Sequence, residues 1–236
     1  MTISLSKMFV YSFIGILVFA EAVMSNLGNI LMEKGYEILP RSFYDRQDVT
    51  IIARELVGKI LMTRFDNVIT AGRIVETEAY NGAVDKASHA YGNRRTNRTE
   101  VMFGKAGTAY VYLCYGIHHL FNVVTNKEGT PNAILIRAVE PIIGIEAMQN
   151  RTKKKLLDNT ITRGPGNVSK ALGIFTYHSG LDLVESDIRI ADDGFRYKKK
   201  EIVVTTRIGV DYAGPDALLP YRYIVRNNPY VSGKRK

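Results

Sequence analysis

Residues 59–80 read KILMTRFDNVITAGRIVETEAY, and this stretch decides the fold class. Lys59 to Phe65 and Ile69 to Tyr80 are two runs rich in β-branched residues, and Asp66-Asn67 between them is the chemistry of a tight hairpin turn. Upstream, Asp48 is placed to cap a helix over Val49 to Val57. There Val49, Ile52, Ala53, Leu56 and Val57 recur at i, i+3, i+4, i+7 and i+8, and Gly58 ends the pattern. Further strands are expected at Ala109 to Tyr115, Leu120 to Thr125, Ala133 to Val139, Ile188 to Ile190 and Ile202 to Thr206. Helices are fewer. One is expected from Ile142 to Asn150, and another after Gly164-Pro165-Gly166 with Asn167 as its cap. Strands therefore dominate, and the expected class is α+β: a single domain around a curved, largely antiparallel β-sheet with peripheral helices and a protruding β-hairpin.

Composition narrows what such a domain does. The 236 residues carry 32 Lys+Arg against 23 Asp+Glu, a formal charge of +9, which points to an anionic partner. With 46% apolar residues the chain can bury a core, so a disordered or fibrous class is excluded. Cys114 is the only cysteine, and the four histidines stand at 89, 118, 119 and 178, so neither a disulfide framework nor a zinc-finger ligand set can be assembled. No metal or cofactor is expected.

The first 38 residues read as an extension and residues 39–236 as the functional domain. Met8 to Phe19 is an almost unbroken apolar run behind Lys7, followed by Ala20-Glu21-Ala22, which resembles a signal h-region with a small-x-small cleavage pattern. The run falls short of the ~20 apolar residues a membrane span needs, and Glu21 sits at its edge. The favoured readings are an apolar helix packed on the domain, or an extension from an upstream start codon, since Met8, Met24 and Met32 are further starts. Neither export nor membrane attachment is expected. The extension carries −1, so residues 39–236 carry +10, and the basicity belongs to the domain.

In Arg73 to Tyr80, alternation places Ile74, Glu76, Glu78 and Tyr80 on one face, with the two carboxylates about 7 Å apart along the chain. Exposed acids on an edge strand are the ordinary reading. The adjacent tyrosine favours a pocket wall, in which a carboxylate acts as a general base toward water. The same spacing fits the acid pair of an inverting glycoside hydrolase, so a carbohydrate hydrolase using Glu76 and Glu78 is a rival reading. A non-catalytic nucleic-acid-binding module is a second.

Thr108 to Gly116 puts Tyr110 and Tyr112 on one strand face and Tyr115 beside Gly116, at the tip of a hairpin. The loop Gly92 to Thr108 adds Arg94, Arg95, Arg98 and Lys105 against Glu100, a net +3. Cations beside exposed rings suit nucleic acid: the charges hold phosphates and a ring replaces a base in the stack. The glycine-rich helix entry at Gly164-Pro165-Gly166 offers a weaker anion site. Arg137 lies on an apolar strand face and needs a carboxylate partner, for which Glu76 and Glu78 are the candidates. Asn122, in another apolar strand, either satisfies backbone groups or reads a ligand edge, and His89 reads as a loop histidine.

Taken together, Arg73 to Tyr80, Met102-Phe103, Gly107 to Tyr112 through Tyr115-Gly116, Asn122, Ile136 to Pro141 and Gly164-Pro165-Gly166 resemble the alkyladenine (3-methyladenine) DNA glycosylases of the mammalian enzyme type. The resemblance runs from about Leu39 to Gly233. It implies a monofunctional DNA glycosylase of base excision repair that flips and hydrolytically excises alkylated or deaminated purines. On that resemblance Glu78 is the catalytic base and Arg137 helps hold its water, with the backbone carbonyl of Ile208 as a third water contact. Tyr80, His89 and Tyr112 contact the extruded base, Asn122 meets its edge and disfavours guanine, and Tyr115 fills the gap left in the duplex. His118 stands where the mammalian pattern has an aromatic residue. The partner implied is double-stranded DNA containing damaged purines, bound by a monomer. The compartment implied is the cytoplasm, at the nucleoid, or the nucleus in a eukaryote.

Overall fold

A computed structural model of the chain describes residues 35–156 and 158–233. The chain divides into two units, Met1–Glu37 and Ile38–Lys236. The apolar run Met8 to Phe19 lies outside the described residues, as do its possible cleavage and start sites.

Among the described residues nine strands form one sheet: β1 (Glu37–Ile38), β2 (Ile60–Phe65), β3 (Val68–Tyr80), β4 (Ala109–Cys114), β5 (His118–Thr125), β6 (Asn132–Ile143), β7 (Ile188–Asp192), β8 (Ile202–Thr205) and β9 (Arg222–Val225). Their order is β1-β7-β2-β3-β6-β5-β4, with β9 pairing both β3 and β8. The sheet is largely antiparallel, and the α+β expectation holds.

β3 is its spine. β6 runs along one edge, while the other is shared between β2, which pairs up to Arg73, and β9, which pairs Glu76 to Glu78. The Asp66-Asn67 hairpin works because both residues adopt positive φ, 51° and 61°, the combination whose twist matches that of the flanking strands. The expected alternation of Ile74 with Glu76 does not run cleanly. The register against β6 shifts between Ile74 and Glu76 and again before Thr77, and such bulges re-aim side chains. Beyond them, Thr77 donates to the Ala53 carbonyl at 2.8 Å, which turns Glu76 and Glu78 to the opposite face.

Among the described residues four α-helices border the sheet: α1 (Arg41–Tyr44), α2 (Val49–Leu56), α3 (Ile145–Thr152) and α4 (Pro165–Leu172). In α2 the Asp48 side chain accepts from the Thr50 and Ile51 amides, and Val49, Ile52, Ala53 and Leu56 are buried, in agreement with the periodicity. Each large aliphatic side chain in that stripe contributes roughly 2 kcal/mol by leaving water.

Two helix starts differ from expectation. α3 begins at Ile145, because β6 continues through Pro141, opposite Gly72, to Ile143 before Gly144 turns at positive φ. α4 begins at Pro165, whose fixed φ suits a first helical position, with Gly164 as N-cap. Asn167 is thus its third residue, and the Asn167 side chain donates to the Thr160 and Arg163 carbonyls. The short strand β9 was not legible in the sequence.

Candidate active site

The turn of β3 away from α2 sends two carboxylates into the protein rather than to an edge. Glu76 and Glu78 are both 0% exposed, so the solvated edge-strand reading does not apply. Each survives burial because it is paired with several donors. Glu78 Oε2 accepts from Tyr80 Oη at 2.8 Å and from Arg137 Nη1 at 3.3 Å, and its Oε1 accepts from the Ile208 amide at 2.8 Å. Glu76 Oε1 accepts from Arg137 Nε at 2.9 Å, Arg222 Nε at 2.7 Å and Ser232 Oγ at 2.9 Å, and its Oε2 from the Ser232 amide at 2.6 Å.

Burial pushes the Glu76 carboxyl up, but the Arg137 and Arg222 guanidiniums beside it more than offset this and hold it below the ordinary carboxylate value. Arg137 answers to both acids. Desolvation works against its charge, yet Glu78 and Glu76 hold it above the ordinary arginine value.

The three donors to Glu78 are also walls of one cavity of about 580 Å³, lined by Tyr80, Arg137 and Ile208 together with His89, Tyr112 and Asn122. The volume suits a single heterocycle with its sugar. Tyr80 is half-buried; desolvation and then the charge of Glu78 raise its hydroxyl well above the usual phenol value, so it remains a donor. The Tyr112 and His89 rings meet edge to face at 4.6 Å. Arg98 reaches over Tyr112 and donates to His89 Nε2 at 2.9 Å. That nitrogen is therefore an acceptor, which leaves the hydrogen on Nδ1, 2.9 Å from Tyr110 Oη. Burial, and after it the Arg98 charge, push the imidazole down to about 4, so His89 is neutral at pH 7.

Asn122 uses its Nδ2 on the Tyr110 and Leu120 carbonyls, 3.1 and 3.2 Å away, so the backbone alternative accounts for its amide while the residue still lines the cavity. Ile208, expected to act through its carbonyl, gives its amide to Glu78. Tyr115 sits at the β4–β5 turn with φ 51° and 90% of its surface exposed, alongside Gly116 at φ 73°. A bulky residue in the left-handed region stores about 1 kcal/mol or more of strain, which the turn imposes. Gly164, Pro165 and Gly166 form part of the same cavity rim. Gly166 is in close approach: a Cβ there would lie 2.9 Å from His118 Nδ1.

Several members of the site gave no local signal. Arg207 is buried in a pair with Asp85, and its guanidinium lies 4.8 Å from the centroid of the Tyr80 ring. Arg222 and Ser232 complete the Glu76 cluster from the far end of the chain.

A family model described as methylpurine-DNA glycosylase matches residues 42–229. The chain belongs to the methylpurine-DNA glycosylase family. Relatives named as candidate 3-methyladenine DNA glycosylases include one from Alkaliphilus oremlandii (strain OhILAs), 44% identical over 203 residues that cover 83% of this chain and 99% of that one. Another, from Desulfitobacterium hafniense (strain Y51), is 45% identical over 203 residues, 83% of this chain and 98% of its own. A third, from Methanocella arvoryzae (strain DSM 22066), is 47% identical over 195 residues, covering 83% and 96%. The chain is thus a DNA-binding hydrolase of DNA repair, and the carbohydrate-hydrolase and non-catalytic readings fall away. Glu76, which the carbohydrate reading needed as a working acid, is instead tied up by four donors. Among the described residues no helix is long and apolar enough to cross a membrane.

Proposed function

We propose that this glycosylase excises alkylated or deaminated purines, of the 3-methyladenine, hypoxanthine and ethenoadenine type, after drawing the damaged nucleotide out of duplex DNA. C1′ of a stacked nucleotide is out of reach of water, so the nucleotide must leave the helix, at a cost of a few kcal/mol. Tyr115, standing clear of the surface at the hairpin tip, fills the gap. The purine then enters between Tyr80, His89 and Tyr112, with Asn122 at its edge.

In the chemical step a water held by Glu78 and Arg137 attacks C1′. The C1′–N bond breaks with its electron pair leaving on the base, and the water's proton passes to Glu78. A 3-methylated adenine leaves as a neutral molecule because it entered as a cation. Hypoxanthine leaves as an anion that takes its proton from solvent water, since a neutral His89 whose Nδ1–H faces Tyr110 is not placed to give it.

The observation that carries this reading is the burial of Glu78 directly behind Tyr80, Arg137 and Ile208, each of which both donates to the carboxylate and lines the cavity. The test is base release from duplexes bearing hypoxanthine or 1,N6-ethenoadenine. Release by the native protein and none by Glu78→Gln is expected; equal release by both overturns it.

A further inference from the structure

Glu76 has no part in the step just described, yet it is the most heavily hydrogen-bonded side chain beside Glu78. Its contacts divide Arg137 three ways: Nε goes to Glu76 at 2.9 Å, Nη2 to Ser232 Oγ at 3.2 Å, and only Nη1 reaches Glu78, at 3.3 Å. An arginine facing a lone carboxylate normally closes a two-pronged fork with N···O distances near 2.8 Å. Here the fork is refused, and the Glu78 contact is the longest of the three. Glu76 is itself pinned from behind by Arg222 and by both the amide and the hydroxyl of Ser232, so it cannot follow Arg137 toward Glu78. The buried cluster holds two carboxylates and two guanidiniums, and its formal charges cancel.

We propose that Glu76, fixed by Arg222 and Ser232, is a positioning residue that holds Arg137 back from a bidentate pairing with Glu78 and so leaves Glu78 able to take a proton from water. This rests on the reading of Glu78 as the general base. A carboxylate gripped by both prongs of an arginine is a poor base, because its charged form is over-stabilised. Without Arg137 at all it would lose the group that helps to hold the water. Glu76 sets the intermediate case. The chain beyond β9 thereby becomes part of the active site, since Ser232 contacts both Glu76 and Arg137 without touching the cavity.

The test uses the full-length protein in single-turnover excision of hypoxanthine from a duplex, across pH, for the native chain, Glu76→Gln, Ser232→Ala and Glu78→Gln, each normalised to its folded fraction. In Glu76→Gln, Arg137 is released toward Glu78. The rate is expected to fall tenfold or more while the Kd for the duplex stays within threefold, and the acid limb of the pH–rate profile moves to lower pH by half a unit or more. Ser232→Ala, which leaves no buried charge unpaired, is expected to show the same shift in smaller measure, and it carries the test if Glu76→Gln does not fold. Loss of the Glu76 charge alone moves the profile only in Glu76→Gln, and a purely structural role leaves it in place in both variants, so the shift in Ser232→Ala decides. An unmoved acid limb, with a rate within twofold of native per folded molecule, overturns the proposal. Activity retained by Glu78→Gln overturns the general-base reading instead, so the two failures are distinguishable.

Discussion

Tyr80 Oη donates to Glu78 Oε2 at 2.8 Å across two positions of one strand, while the ring of the same tyrosine lines the cavity. One side chain thus joins the wall that would hold a base to the acid that would activate water. Unbroken pairing with β6 from Glu78 to Tyr80 makes this possible, because two-residue alternation then sets both side chains on one face of the strand.

Removing only the hydroxyl separates the two roles. Tyr80→Phe keeps the ring and deletes one donor to a buried acid, a loss worth about 1.5 to 3 kcal/mol for a bond to a charged group. The single-turnover excision rate is expected to fall roughly tenfold or more, with the duplex Kd little changed. An unchanged rate in a quenched-flow measurement would sink the idea that this contact supports the chemistry.

His89 gives a pH prediction with a definite sign. Its folded-state pKa is lowered to about 4, by burial first and Arg98 second, against an ordinary value of 6.5. Above the unfolded value both states are neutral and the full stability is present. As pH falls from about 6.5 to 4 the unfolded chain takes up a proton that the folded one refuses, so stability drops through that window by roughly 2 to 3 kcal/mol. Urea unfolding at pH 7 and pH 4.5 should show this loss in the native protein and a smaller one in His89→Gln. Substituting Arg98 by Met should raise the His89 titration midpoint as followed by NMR.

Tyr115 and the pocket act at different steps. Tyr115→Ala removes a ring that touches almost nothing in the protein, so the melting temperature should stay within a degree or two. The equilibrium for extruding ethenoadenine, read from its fluorescence in a duplex, should shift tenfold or more toward the stacked state. Excision of a mismatched, easily opened lesion should be nearly unaffected. Equal losses on stable and unstable pairs would argue against a wedge.

How much of this was legible in the sequence follows from how far each contact reaches. Glu78 and Tyr80 share a face by two-residue alternation, and Arg137 on an apolar strand demanded an acid; both are local patterns, and the structure pairs Arg137 with Glu76 and Glu78 alike. The Asp66-Asn67 turn and the Asp48 cap were legible for the same reason. What was not legible arrives from a distance. Ile208 and Ser232 meet β3 across 130 and 156 residues, and β9 is only four residues long, too short for a pattern. The start of α3 was misplaced because Ile142 and Ile143 satisfy a helical period as well as a strand one, and only pairing with Ala71 decides between them.

Gly166 supplies a prediction in which two effects of similar size compete. It lies inside α4 without a positive φ, so alanine there gains about 0.5 to 1 kcal/mol of helix propensity. Against this, the new Cβ would stand 2.9 Å from His118 Nδ1, 3.1 Å from its Cγ and 3.2 Å from its Cβ. The last two atoms are close to the backbone of β5, so a turn of the ring cannot clear the clash and the strand end beside Tyr115 must shift. Overpacking of this kind costs typically 1 to 3 kcal/mol, which outweighs the propensity gain. Gly166→Ala is therefore expected to lower stability and to weaken duplex binding. In a His118→Ala background the obstruction shrinks, and the same substitution should become neutral or stabilising by up to 1 kcal/mol. A double-mutant cycle followed by urea denaturation reads the sign directly, and additive behaviour of the two substitutions would show that the helix and the hairpin do not press on each other.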